Sequence, residues 1–176
     1  VKGALANLLD KLPSLTPQEW TEIFNLMSSN SLEKKTNVKE AYIVAFSKIL
    51  LRYAIEINYM FTQNKKEFYI FNSKYWIKIE LVLLINFFKA AGNEIGIPEY
   101  TASNVTFINK LHKQFTQDAY FEKDVDKDCT YINLQNGILI IYKYGVKFEK
   151  HHPKYFLKYI LDFEYIENTI NDNFRN

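Results

Sequence analysis

Residues 130–165 read TYINLQNGILIIYKYGVKFEKHHPKYFLKYILDFEY, and the fold turns on how this stretch is parsed. Two apolar, β-rich runs, 130–134 and 138–142, flank Asn136-Gly137. That dipeptide offers the backbone the positive φ of a tight hairpin turn, although the neighbouring Gln135 leaves the turn type open. A second turn at Tyr144-Gly145 leads into a third strand at 146–149. His151-His152-Pro153 then breaks the pattern, because the proline ring drives the residue before it out of helical geometry.

Upstream, 68–71 and 75–79 are short β-type runs separated by Asn72-Ser73-Lys74, which reads as another hairpin. The remaining periodicity is helical. Thr16-Pro17-Gln18-Glu19 forms a capping box with proline at the first helical position, and Trp20, Ile23, Phe24 and Met27 follow on one face. That helix is expected to stop in Ser28-Ser29-Asn30-Ser31, with 28–39 as a polar linker. A second helix is expected over about 38–53, with Ala41, Val44, Ala45, Ile49 and Leu50 inward. A buried helix over 81–91 should end near Gly92, followed by a loop over 92–98. Thr101 or Ser103 should cap a helix to about residue 117, with Val105, Ile108, Leu111 and Phe115 on one face. The expected fold class is α+β: helices packed against small antiparallel β-hairpins, with a helical N-terminal appendage. Residues 1–30 read as that appendage or the end of a preceding domain, and 38–176 as the α+β domain.

Composition narrows the function classes. With 48% hydrophobic and 16% aromatic residues the 176-residue chain can bury a core. A net charge of +2 is too mild to demand a polyanionic partner. Arg52 and Arg175 are its arginines, and abundant Lys, Asn, Ile, Tyr and Phe with few Gly points to an AT-rich genome. Cys129 stands alone, which excludes an internal disulfide and a cysteine-based zinc site and leaves a reducing, cytoplasmic setting as the expectation. The longest apolar run, 79–91, is interrupted by Glu80, Asn86 and Lys89 and is too short to span a bilayer. The chain opens on Val1 with no signal peptide, so a piece of a longer protein is expected.

Two blocks carry a family resemblance. Phe68-Tyr69-Ile70-Phe71-Asn72-Ser73-Lys74-Tyr75-Trp76 is an aromatic strand, turn and strand ending in tryptophan. Asp126, Asn136-Gly137, His152-Pro153 and Tyr155 punctuate the second. Together, over roughly 38–169, they resemble the domain just N-terminal to the superfamily 3 helicase module of phage, plasmid and poxvirus primase–helicases. That family often has an aspartate shortly after the Asn-Gly turn, where Ile140 and Ile141 stand here. The resemblance implies a non-catalytic accessory domain of a mobile-element replication protein, linking primase to helicase, supporting ring assembly and contacting DNA. Its implied partners are DNA, single-stranded or forked, the helicase module and neighbouring subunits. No G-x-x-x-x-G-K-[ST] loop occurs; Gly92 and Gly96 come nearest and no lysine follows, so neither ATP hydrolysis nor a cofactor is expected.

The candidate DNA contacts are Lys143, Lys147, Lys150, Lys154 and Lys158, five lysines against the single Glu149, interleaved with Tyr142, Tyr144, Tyr155 and Tyr159. Lysines track phosphates, and exposed aromatic rings stack bases. The competing reading is a solvated lysine face whose tyrosines serve a core or a docking surface. Lys74, at the tip of the first hairpin, and Lys65 and Lys66, at its base, form a second set. Trp76 with Tyr69 and Tyr75 could form a stacking platform, with hairpin core packing as the alternative. Asp124, Asp126 and Asp128 alternate as carboxylates do in metal-dependent primase sites. Cys129 and Gln135 replace the glycine and glutamate an EF-hand needs, and a solvated acidic turn explains the run equally. His151 and His152, adjacent in sequence, face opposite ways on a strand and read as a turn before Pro153 rather than a metal pair. His112 reads as a surface or boundary residue, and Cys129 as a small buried hydrophobe.

Overall fold

The computed structural model describes residues 1–29, 38–123 and 125–166, and their fold is α+β: six helices and two three-stranded antiparallel sheets. The chain divides into two compact units, Val1–Asn72 with Ile77–Phe121, and Ser73–Trp76 with Glu122–Asn176.

The first unit carries α1 (Lys2–Leu9), α2 (Pro17–Ser29), α3 (Val38–Glu56), β1 (Tyr59–Asn64), β2 (Glu67–Asn72), β3 (Trp76–Ile79, of which 77–79 fall in this unit), α4 (Leu81–Glu94), α5 (Glu99–Ala102) and α6 (Val105–Asp118). The sheet order is β1-β2-β3. Phe46, Phe61, Phe68, Phe87, Phe88 and Phe115 share one apolar core with Leu5, Leu8 and Trp20. Most of their rings meet edge-on or tilted, as Phe88 and Phe115 do at 5.1 Å, while Phe68 and Phe115 stack at 6.2 Å; both arrangements suit the ring quadrupoles. The capping box at the start of α2 is formed: the Thr16 N–H donates to Glu19 Oε2 at 2.7 Å, and the Glu19 N–H to Thr16 Oγ1 at 3.3 Å. The Thr16 backbone bond, then its hydroxyl, draws the Glu19 carboxyl below its ordinary value. Trp20 is buried, and its Nε1–H satisfies the Ile95 carbonyl beyond the end of α4.

Several elements differ from the expected ones. Strand β1 had no foreseen counterpart, and Lys65-Lys66 are its turn to β2 rather than the base of a hairpin, with φ of 48° and 69°. Left-handed backbone costs a lysine roughly 1 kcal/mol or more, so this turn lacks the Asn-Gly signature that would reveal it. Helix α4 continues through Gly92 to Glu94, and the chain turns at Gly96, where φ is +81° and a Cβ would lie 2.2 Å from the Leu15 carbonyl oxygen. Helix α6 is capped by Asn104, whose side chain accepts from the Thr106 and Phe107 amides, and not by Thr101 or Ser103. The chain first closes a turn as α5, which engages those two residues. On α6, Val105 is exposed in the first turn, and Phe107 joins Ile108, Leu111 and Phe115 in the core. In α3, Ile43, Phe46 and Ser47 are buried with Ala41, Ala45 and Leu50, while Val44 and Ile49 are less deeply placed than expected, Ile49 being half-buried. Helix α2 continues through Ser28 and Ser29, the first half of the expected stop, and residues 30–37, with its second half and most of the expected polar linker, lie outside the described residues.

The second unit is built on β4 (Thr130–Leu134), β5 (Gly137–Tyr142) and β6 (Gly145–Glu149), an antiparallel meander followed by a 3-10 turn at Pro153–Tyr155. Ile138, Ile140 and Tyr155 form its small core, flanked by Cys129, Tyr131 and Leu157. The Asn-Gly dipeptide is used differently from expectation. The two turn residues are Gln135 and Asn136, and Gly137 opens β5 without a positive φ. Glycine is needed there because a Cβ would lie 2.4 Å from the Glu149 carbonyl oxygen and 2.6 Å from the Phe148 ring. The Asn136 side chain instead brackets Tyr165, donating to its carbonyl and accepting from its amide.

The chain around 159–165 covers the outer edge of β4. Leu161 donates its N–H to the Asn133 carbonyl and Gln135 its N–H to the Phe163 carbonyl, which removes one open sheet edge. Asn133 is fully buried, and its Nδ2 donates to the carbonyls of Lys74 and Tyr159 at 3.1 and 2.7 Å. One amide therefore fastens three separate passes of chain. Asn133→Asp replaces two donors with a carboxylate facing two carbonyl oxygens. We expect it to lower stability by about 3 kcal/mol, read as a fall in the urea midpoint by circular dichroism, with Asn133→Gln recovering little of the loss.

Candidate nucleic-acid interface

The lysines of the candidate set do not form one equivalent row. Lys147, on β6, pairs with Glu149 at 2.5 Å, and Glu149 also accepts from the Tyr155 hydroxyl at 2.5 Å. Hydrogen bonds from Lys147 and then Tyr155 hold the Glu149 carboxyl below its usual value, and Glu149 raises Lys147. The charge of Lys147 is thereby offset locally. Lys143 lies in the β5–β6 turn with its ammonium 5.1 Å from the Tyr144 ring centre, and lines a shallow hollow with Asp126, Asp128, Cys129, Tyr142 and Tyr144. Two carboxylates in that hollow repel a phosphate approaching the exposed tyrosines.

Lys150 is exposed, and Lys154 places its ammonium 4.8 Å from the centre of the Tyr155 ring. The ammonium groups of Lys123 and Lys158 lie 3.9 and 5.1 Å from the centre of one ring, Phe156. Phe156 follows the 3-10 turn with φ of 50°, a left-handed conformation unusual for an aromatic residue, and its ring meets Trp76 at 5.2 Å. Lys74 reaches Gln135 Oε1 at 3.4 Å in the same unit. Lys123 and Phe156 were not foreseen. Lys123 sits in an acidic stretch that hides it, and a left-handed phenylalanine carries no sequence signal.

The aromatic candidates divide between surface and core. Tyr142 and Tyr144 are exposed. Tyr155 is core, and the Tyr159 hydroxyl donates to the Tyr131 carbonyl. Trp76 is no stacking platform: it is 1% exposed, its indole N–H donates to the Pro153 carbonyl, and its backbone N–H to that of Leu157. Tyr69 is buried with its hydroxyl on Glu67.

The acidic run behaves as a turn. Asp126 Oδ1 accepts the Asp128 amide at 2.9 Å, and the Asp126 amide donates to the Tyr131 hydroxyl. Asp124 lies outside the described residues, and no metal-capable cluster of His, Cys, Asp or Glu occurs among those described. Desolvation first, then the Asp126 carboxylate, push the Cys129 thiol up, which disfavours a thiolate. His151 Nε2 lies 2.8 Å from the Leu134 carbonyl, and His152 Nδ1 accepts from the Lys154 amide as cap of the 3-10 turn. Both imidazoles thus hold backbone rather than serve each other. No helix among the described residues is long and apolar enough to cross a membrane.

Comparison with models of protein families, with characterised proteins and with solved structures found no match to this chain.

His112, on α6, is a boundary residue: its ring lies 5.3 Å from Phe68, and burial lowers its pKa from 6.5. The unfolded chain therefore binds a proton more readily at this site. Its contribution to stability is complete above pH 6.5 and is lost as pH falls from 6.5 toward the lowered folded value. In His112→Gln, urea midpoints compared at about pH 7.5 and about pH 5 should show a smaller acid loss than in the parent chain.

Proposed function

We propose that this chain is a non-catalytic accessory part of a mobile-element primase–helicase that contacts DNA through its second unit. The helicase module and neighbouring subunits are its other partners, and a reducing cytoplasm is its setting. What carries the DNA reading is the placement of Lys123 and Lys158 over Phe156. Two ammonium groups around one ring, with Lys154 and Lys74 in the same unit, supply charge for phosphates next to an aromatic face. Lys143 shares its hollow with Asp126 and Asp128, and Glu149, which pairs with Lys147, also feels the charge of Lys154. Support for the family comes from the two resembling blocks, which fold as β2–turn–β3 and as β4–β5–β6 with the His-Pro turn.

A protein-docking module without DNA contact is the alternative, and one observation favours it: Ile141, Val146 and Phe148 form an exposed apolar strip on the second sheet. Salt separates the two, because phosphate contacts release counterions and apolar contacts do not. Labelled single- and double-stranded DNA should bind the chain by fluorescence anisotropy at low salt, weakening steeply at physiological salt. Lys74→Glu, Lys123→Glu and Lys158→Glu together should flatten the log–log salt slope by roughly 2 to 3, whereas Lys147→Glu should change it by less than about 1. Absence of binding at low salt would overturn the DNA reading in favour of docking.

A further inference from the structure

Strand β6 is the uncovered edge of the second sheet, and no described residue pairs with its outer side. The two-residue turn at 143–144 makes Tyr142 and Gly145 the closing pair, which exchanges both backbone hydrogen bonds. Alternation along the ladder then turns the N–H and C=O groups of Val146 and Phe148 outward. The side chains alternate as well. Val146 and Phe148 lie on one face with Ile141, at 54, 37 and 38% exposure, while Lys147 and Glu149 lie on the other. Tyr165 stacks on Phe148 at 4.8 Å, and Phe148 is still 37% exposed.

We propose that β6 pairs antiparallel with β6 of a second copy about a twofold axis at Phe148, forming a continuous six-stranded sheet. Charge selects the occupant and the register. With Phe148 opposite Phe148 of the second copy, Lys147 of each chain faces Glu149 of the other at closely spaced positions, so the ion pair each strand makes within itself is shared across the axis as two reciprocal pairs. Sliding to a twofold at Lys147 places the two lysines opposite each other, and a twofold at Val146 overlaps 145–147, as many residues as the 147–149 of the chosen register, but sets Lys147 opposite Gly145 so that no ion pair forms within the strands. The chosen register also joins the two apolar strips, each gaining the other's Phe148, and leaves the stem of Lys150 against Val146. This contact is isologous and closes as a pair, so it is distinct from any head-to-tail contact that builds a ring. It leaves Lys74, Lys123 and Lys158 uninvolved, so its failure and the failure of the DNA reading are separable.

Sedimentation velocity of the 176-residue chain over rising concentration tests the proposal. A monomer–dimer equilibrium is expected. Lys147→Glu and Glu149→Lys should each weaken it about tenfold or more by setting like charges opposite. An equimolar mixture of these two variants should recover the dimer, because one strand is then doubly acidic and the other doubly basic. Far-ultraviolet circular dichroism checks that each variant is folded. Independently of those variants, Phe148→Cys in a Cys129→Ser background should form an interchain disulfide under mild oxidation, since a hydrogen-bonded pair sits at about 5.5 Å between Cα atoms. A chain that stays monomeric at about 0.5 mM, far above the micromolar range of ordinary association, would overturn the pairing. So would a dimer indifferent to Lys147→Glu, or a Phe148→Cys variant that does not cross-link.

Discussion

An amide buried in a small β-rich unit is tolerable only when its hydrogens find acceptors, and Asn133 finds two of them on chain segments far apart in sequence. Lys74 belongs to the turn after β2, and Tyr159 to the extended chain that follows the 3-10 turn. The apolar core of this unit, built around Ile138, Ile140 and Tyr155, is too small to organise those segments by burial alone. Directional bonds do that instead. Trp76 adds two more, to the carbonyls of Pro153 and Leu157, and Asn136 brackets Tyr165. The positions of Phe156 and of the lysines around it are inherited from this polar lattice, so the candidate interface depends on groups that never touch a ligand.

The first unit is held differently. Its phenylalanine-rich core supplies the burial, and its polar devices act at element ends: Thr16 and Glu19 start α2, Asn104 starts α6, and Trp20 satisfies the carbonyl just past α4. This contrast explains what could be read in advance. Periodicity exposed α2, α3, α4, α6 and the meander 130–149, because apolar residues recur there at the spacing of the surface they bury, whereas α1 and the four-residue α5 were not foreseen as elements. The capping box was legible for a related reason, being local in sequence. Strand β1 was not, since its turn places two lysines in left-handed backbone without a glycine or asparagine to announce it. The glycine of Asn136-Gly137 misled on mechanism while marking the hairpin correctly. What requires it is a close carbonyl across the ladder rather than a positive φ.

For the candidate site, sequence supplied the inventory of charge but not its partition. The lysines between 143 and 158 read as one basic stripe. In three dimensions Lys147 is engaged by Glu149, Lys143 shares a hollow with Asp126 and Asp128, and Lys158 stands with Lys123 on Phe156. Each of those assignments depends on a loop or a turn whose path is set by tertiary hydrogen bonds, which no local pattern encodes.

The division of aromatic labour has a spectroscopic side. The chain's two tryptophans fall one in each unit, Trp20 in the first and Trp76 in the second, both buried and both with the indole N–H on a backbone carbonyl. Each unit therefore carries its own intrinsic fluorophore in a dry, hydrogen-bonded setting. Emission from either indole will shift to the red when water reaches it, so replacing one tryptophan by phenylalanine leaves the other to report the melting of its own unit without a dye.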